Sequence, residues 1–396
     1  MLTDHPAGSR WEAGLFEFAD AAVGPRATEI DRTDQYPADI FRALADRGLL
    51  AVSLPAEFGG PDPDDPERPG GVRALARATR VMAQYSSAVG LMLLLSRLPA
   101  APVLVGGTAE QRRELLVPLG TGDTRGAFCM SEPQAGSDVL GLTTTAVPAG
   151  SGWRLSGRKA WVSGLAEADW YVVVATVTDP ALRSPGGLRA FVVPKDTPGV
   201  RISALHQRNA VRGISLGDLH LDGVLLPDRA LLPGITGIGP LLRALATMRP
   251  VVAARGVGLA QGALQLAVEH ARRRQIADGA LVDQQGMLWQ LARAAADVEA
   301  AALLVERAAE LVDLGRTGPD DAGRLAIAKL SATECAVRVS GLATQVFGAA
   351  GLVSGHPAER MYRDARSLTV VEGTTEMQLS IIGRSLAARD LWWRPE

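Results

Sequence analysis

The sequence predicts an α+β chain in three zones: a helical N-terminal domain over 1–123, a small, mostly antiparallel β domain over 124–233, and a helical bundle over 234–396. Three observations predict it. Before residue 123, apolar residues recur at helical spacing. Between 124 and 233, short runs rich in Val, Leu and aromatic residues are punctuated by Pro and Gly, as strands are. Beyond 234, long Ala-rich stretches keep a 3.6-residue period with wide apolar faces, as bundle helices do. The order helix, strand, helix is not the alternating βαβ of a nucleotide-binding sheet.

In the first zone, Tyr36-Pro37 precedes a helix over 38–48. There Ile40, Leu44 and Leu49 recur at helical spacing and Gly48 serves as the stop. Gly59–Gly71 (GGPDPDDPERPGG) is a loop by composition. Helical spacing resumes over Arg73–Leu98, and Thr108 with Gln111 forms a capping box ahead of Leu115–Leu119. In the second zone Tyr171–Val177 and Leu188–Val193 read as strands, with Pro180–Gly187 (PALRSPGG) as the turn between them. Ser215–Leu221 alternates apolar and polar as a further strand. In the third zone Val251–Arg274, Leu291–Leu314 and Asp321–Phe347 read as long helices. The glycines of Gly256-Val-Gly258-Leu-Ala-Gln-Gly262 imitate a dinucleotide-binding loop. Their spacing is GxGxxxG and no strand precedes them, so close helix packing explains them better.

Composition narrows the function classes. The 396 residues are 47% apolar and 21% charged, with net charge -2, an ordinary soluble composition long enough for two or three domains. No basic surplus points to nucleic acid or to an anionic membrane. Five His and two Cys supply no cluster with metal-ligand spacing, so no metal is expected. Cys129 and Cys335 stand 335 − 129 = 206 residues apart and read as reduced small hydrophobes. Met1–Arg10 carries Asp4 and Pro6 and no apolar run, so no signal peptide is read there. Ala88–Leu95 is apolar but far shorter than the ~20 residues of a bilayer span. A cytoplasmic protein is the expectation.

Three stretches carry chemistry. The first, Phe128-Cys-Met-Ser-Glu-Pro-Gln-Ala-Gly-Ser-Asp138, lies where the helical zone gives way to strands. Its free backbone at Gly136, its hydroxyls at Ser131 and Ser137 and its carboxylates can serve a polar ring edge. Taken alone, a turn with Ser and Asp caps is the better reading. The second, Trp153 to Ser163, places a hydroxyl two residues after Trp161. That pair can cover one face of a flat cofactor, although a lone strand Trp is by default a core residue. The third runs from Glu359-Arg-Met-Tyr-Arg-Asp-Ala-Arg366 into Val370-Val-Glu-Gly-Thr-Thr-Glu376. Glu372, after two apolar residues and before a Gly, suits a poorly hydrated carboxylate whose raised pKa makes it a stronger base. It suits equally a carboxylate at the start of the helix that begins near Thr374.

Together, and in this order, the three stretches resemble the acyl-CoA dehydrogenase family. The matching segments are Ser131-Glu-Pro-Gln-Ala-Gly-Ser-Asp138, Lys159-Ala-Trp-Val-Ser163 and Arg363-Asp364…Glu372-Gly-Thr374. Leu54-Pro-Ala-Glu-Phe-Gly-Gly60 and Gln345-Val-Phe-Gly348 are also similar to the family, so the likeness runs from about residue 35 to 390. The resemblance implies an N-terminal helical domain, a middle antiparallel β domain and a C-terminal four-helix bundle, with FAD between the last two. It implies that Phe128, Met130, Ser131, Gly136 and Ser137 line the flavin ring, that Trp161 and Ser163 flank it, and that Thr374 and Glu376 meet it from the other side. Arg273, Gln345, Gly348 and Ala349 match positions that hold the FAD of a neighbouring subunit, which implies a homo-oligomer, dimer or tetramer. Ser137, Arg249 and Gly373 match positions toward the substrate. Glu372 matches the base that takes the α proton of an acyl thioester while the flavin takes the β hydride. Some relatives carry that base one residue before the Arg of an earlier helix, where this chain has Met248, which cannot act as one.

Four departures stand out: Ile276-Ala277 in place of an aromatic and Gly, Ala349-Ala350 in a glycine-rich turn, Val371 before the base, and Ala246 where many relatives have Asp. They touch cross-subunit FAD contacts and CoA recognition. They leave room for three alternatives: a dehydrogenase or oxidase of an acyl- or aminoacyl-carrier-protein thioester in a biosynthetic pathway, a flavin-dependent monooxygenase, and a non-catalytic scaffold. Electron-transferring flavoprotein and oxygen are the electron acceptors weighed.

Overall fold

The structure is a computed structural model that describes residues 10–62, 65, 67–177, 187–277 and 279–388. Nearly all of the N-terminal stretch read for a leader, most of the Pro180–Gly187 turn, and three residues of the Gly59–Gly71 loop lie outside the described residues. Seven helices come first: α1 Arg10–Phe18, α2 Ala27–Thr33, α3 Ala38–Asp46, α4 Gly71–Tyr85, α5 Ser87–Arg97, α6 Ala100–Gly106 and α7 Ala109–Thr121. The helix read over Arg73–Leu98 is broken in two. Ser86 takes extended backbone, and its hydroxyl accepts from the Val89 N–H to cap α5. The capping box of Thr108 and Gln111 opens α7 with both reciprocal bonds made.

Seven strands follow: β1 Gly126–Cys129, β2 Thr145–Ala149, β3 Gly152–Ser163, β4 Trp170–Val177, β5 Leu188–Pro194, β6 Val200–Ile202 and β7 Leu216–Pro227. They form one sheet in the order β1-β4-β2-β3-β7-β6, with β5 on the other side of β4. Four pairings are antiparallel. β4 pairs in parallel with β1 and with β2, so the sheet is mixed at its centre. β4 is a continuous apolar run because both of its faces are buried: Tyr171, Val173 and Ala175 in the sheet's own core, Trp170, Val172 and Val174 against the helices α6 and α7. Cys129 and Cys335 are buried free thiols.

The third part holds α8 Ile238–Ala246, α9 Arg249–Arg273, the short pair β8 Gln275–Ile276 and β9 Gly279–Ala280, α10 Gln285–Asp313, α11 Pro319–Phe347, α12 Pro357–Leu368 and α13 Thr375–Ala388. α11 packs on α9, α10 and α13, and α4 of the first part lies along α9. Small residues set that last contact. A Cβ on Gly258 would fall 2.0 Å from the Arg80 carbonyl oxygen, and one on Gly262 would fall 2.2 Å from that of Gln84. These glycines serve close helix packing, as their spacing indicates. Three helical stretches, Ser87–Gly106, Ile238–Arg273 and Pro319–Leu352, are long and apolar enough to cross a membrane by length and composition. The first corrects the shorter run, Ala88–Leu95, read from the sequence. Within the fold, 78% of the apolar window is buried in each of the first two.

Candidate active site

Glu372 lies in the loop between α12 and α13, and its backbone is left-handed, with φ 53°. A non-glycine residue there costs about 1–2 kcal/mol, so the surroundings must hold it. They do so through carbonyls. The Lys329 ammonium, on α11, donates to Leu368 O at 2.8 Å and to Gly373 O at 2.9 Å, clamping both ends of the loop. Gln378 Nε2 donates to Gly373 O at 2.9 Å, and Thr375 Oγ1 donates to Glu334 Oε1 at 2.7 Å. No carbonyl among the described residues accepts from the Glu372 N–H, so that donor is left free.

The Glu372 carboxyl has no ion pair within 4 Å among the described residues. Burial pushes its pKa up, against the opposing pull of Arg255, Lys329 and Arg249. The helix-end reading belongs instead to Glu376. That carboxyl is exposed, and its own N–H and the Thr374 hydroxyl hold its pKa down. The cations respond in turn. Burial lowers Lys329 to about 8 and Arg255 to about 10. Arg249 is lowered as well, and Met248 before it is fully buried.

The Phe128–Asp138 loop is stitched to β3. Ser131 O accepts from Ala160 N at 2.8 Å, and Lys159 Nζ donates to Met130 O at 3.0 Å and Glu132 Oε1 at 2.7 Å. Burial raises the Glu132 carboxyl, but the Lys159 bond and donors from Thr143 and Thr144 outweigh it and hold the group far below its usual range. Gly136 and Ser137 are exposed, and a Cβ on Gly136 would meet nothing within 4 Å. Trp161 departs from the default for a strand Trp. A register shift between Lys159 and Val162 puts it at φ 60° and leaves it 59% exposed, with its ring 4.8 Å from that of His206. Ser163 closes the same strand.

The remaining candidates fall elsewhere. Arg273 ends α9, while Gln345, Gly348 and Ala349 sit at the end of α11. His270 and Phe347, with rings 4.2 Å apart, join those two ends. Arg273 is 24 residues beyond Arg249 on α9, about 36 Å along the axis. One chain therefore brings together Glu372, Gly373, Thr374 and Arg249, and separately the Phe128–Ser137 loop with Trp161 and Ser163. It holds Arg273 and Gln345 far from the glutamate. Sequence reasoning missed Lys329, Arg255 and Gln378. The available signal was a single cation in each of two apolar stretches, Ala326-Ile-Ala-Lys329 and Val251-Val-Ala-Ala-Arg255.

This fold is that of the acyl-CoA dehydrogenases. The family's N-terminal, middle and C-terminal domain models match residues 11–123, 127–224 and 236–387, and the chain belongs to the acyl-CoA dehydrogenase family. Members are flavin oxidoreductases that act on CH–CH donors. The chain is 35% identical to the human mitochondrial short-chain specific acyl-CoA dehydrogenase over 373 residues, covering 93% of this chain and 87% of that protein. Among solved structures, butyryl-CoA dehydrogenase from Megasphaera elsdenii is 30% identical with TM-score 0.88, over 96% of this chain and 99% of that one. A chain described under the electron transferring flavoprotein of Acidaminococcus fermentans is 29% identical with TM-score 0.88, over 96% of this chain and 97% of that one.

Proposed function

We propose that this chain removes the α and β hydrogens of an acyl thioester with FAD, and that Glu372 takes the α proton. The observation that carries the reading is Glu372 itself: a carboxyl whose pKa is raised by burial, on a strained left-handed residue, in a loop clamped by Lys329. Desolvation makes the carboxylate a stronger base toward a carbon acid. The free Glu372 N–H stands ready to donate to a thioester oxygen as negative charge develops on it. The nearby cations Arg249, Arg255 and Lys329 favour the ionised carboxylate that the step needs.

The donor set fits FAD. Ser131 and Ser163 are half-buried, Ser137 and the Trp161 ring are exposed, and the loop that carries Ser131 is bonded to β3 beside Trp161, where an aromatic face turned to solvent suits a flat ring. Bound there, FAD would supply the acceptor for the β hydride. Arg273, Gln345, Gly348 and Ala349, some 36 Å along α9 from Arg249, would hold the cofactor of a second copy. Exposed Leu288, Trp289, Leu303 and Leu304 on α10 support such a homo-oligomer. The relatives' names favour CoA as the thioester carrier and an electron-transferring flavoprotein as the acceptor.

The test is Glu372→Gln in the FAD-loaded protein. Anaerobic bleaching of the flavin by an acyl-CoA should slow by about 100- to 10,000-fold with the fold retained. An unchanged rate would remove Glu372 from the role of base.

A further inference from the structure

The geometry points to an acyl group whose far end is a carboxylate, received by Arg255. This rests on the dehydrogenation reading and names its substrate class. Arg255 sits six residues beyond Arg249 on α9 (255 − 249), within an otherwise apolar run. It is only 2% exposed, and its Nε is buried without a hydrogen-bond partner. No hydrogen bond or ion pair joins its guanidinium to any described residue. A guanidinium carries five donors in a fixed fork that matches a carboxylate, and an unpaired buried cation is costly. The two carboxylates whose charge it feels are already committed. Asp364 accepts from the Val211 N–H at 2.6 Å, and Glu372 is the base.

The surroundings of Arg255 are built for an acceptor. Gly90 on α5 makes room for its stem, since a Cβ there would stand 3.4 Å from Arg255 Cγ and 3.4 Å from Thr79 O. Thr79 on α4 and Ser87, one turn before Gly90 on α5, each bury a hydroxyl that has no partner among the described residues. Arg255 Nε and these two hydroxyls are thus buried and unpartnered among the described residues, on three helices of which α4 and α9 both approach α5 at Gly90. An alkyl end would leave the Arg255 guanidinium unpaired, whereas a carboxylate accepts from it. Charge agrees: Arg249, Arg255 and Lys329 all act on Glu372, and an anionic acyl end adds negative charge beside Arg255, on which Asp364 also acts. A short dicarboxylic acid, held as its monothioester, meets both demands. The thioester carbonyl lies by the Glu372 N–H and the free carboxylate by Arg255.

The experiment compares glutaryl-CoA and adipyl-CoA with pentanoyl-CoA and hexanoyl-CoA in anaerobic flavin bleaching by the FAD-loaded wild type and Arg255→Gln. The wild type should favour the carboxylated thioesters by roughly 100-fold in kcat/KM. Arg255→Gln should collapse that ratio, slowing the carboxylated pair and speeding the uncharged one. Arg255→Lys, which keeps the charge and loses the fork, should restore part of it. Equal or better use of the uncharged thioesters by the wild type overturns the assignment even if the variant fails to fold. So does an equal loss on both sets in Arg255→Gln. Flavin that binds and is bleached by neither set overturns the dehydrogenation reading and this one with it. Reactive uncharged thioesters separate the first failure from the second.

Discussion

Replacing Lys329 by Met should separate stability from catalysis. Lys329 is fully buried, and burial lowers its pKa from 10.5 to about 8. Holding it charged at neutral pH therefore costs about 3 kcal/mol. Its two hydrogen bonds, to Leu368 O and Gly373 O, return about 1.5–3 kcal/mol apiece as bonds from a charged donor. The ledger nearly closes, so Lys329→Met should cost between about 0 and 3 kcal/mol, read as a small fall in Tm. Catalysis should suffer far more. The clamp holds a left-handed glutamate, and a displacement of about 1 Å costs about 100-fold in rate. The pH profile provides a readout that loss of packing does not move. Lys329 pulls the Glu372 pKa down, so without it the acidic limb of kcat/KM should shift to higher pH. A variant with wild-type kcat and an unmoved acidic limb would refute the clamp.

Two further outcomes follow from the packing and the buried pair. Gly258→Ala drives a Cβ to 2.0 Å from a backbone oxygen of α4, which cannot rotate away. About 3 kcal/mol or more should be lost in denaturant titration, as the top of the overpacking range. Glu132→Gln leaves the Lys159 ammonium buried without its counter-charge, at about 3–5 kcal/mol, read the same way. Because the Glu132 pKa is depressed in the fold, its stabilisation is present above its ordinary value of 4.5 and is lost as pH falls below it. The wild type should therefore lose stability on acidification below about pH 4.5 more steeply than the variant.

Much of the fold was legible because its signals are local. The strand β4, the capping box of α7 and the glycines of α9 each carry their reason within a few residues of sequence. The break in α4–α5 was less visible, because a single extended Ser86 interrupts an apolar pattern that otherwise continues across it. Trp161 taken alone reads as a core residue, and only the resemblance placed it beside a cofactor, since its exposure comes from a register shift against β7 that no property of β3 alone announces. The Glu372 segment was evenly balanced for a similar reason. Its neighbour Glu376 satisfies the start of α13, and only the fold shows that Glu376 is the exposed carboxyl at the helix end and Glu372 the half-buried one.

The least legible part of the site is its electrostatics, and the chemistry depends on it. The residues that set the basicity of Glu372 stand at 249, 255 and 329, on α9 and α11, none within forty residues of it in sequence. Burial alone would leave a carboxyl protonated and useless as a base, while three cations at contact would leave it ionised and weak. The structure holds an intermediate state. Lys329 is engaged with carbonyls, Arg255 Nε has no partner among the described residues, and none of the three ion-pairs with the carboxylate within 4 Å, yet all three act on it. A base that ionises without being tied up is free to move toward a carbon acid. On the proposed function, the motif therefore names the glutamate, and the bundle makes it a base.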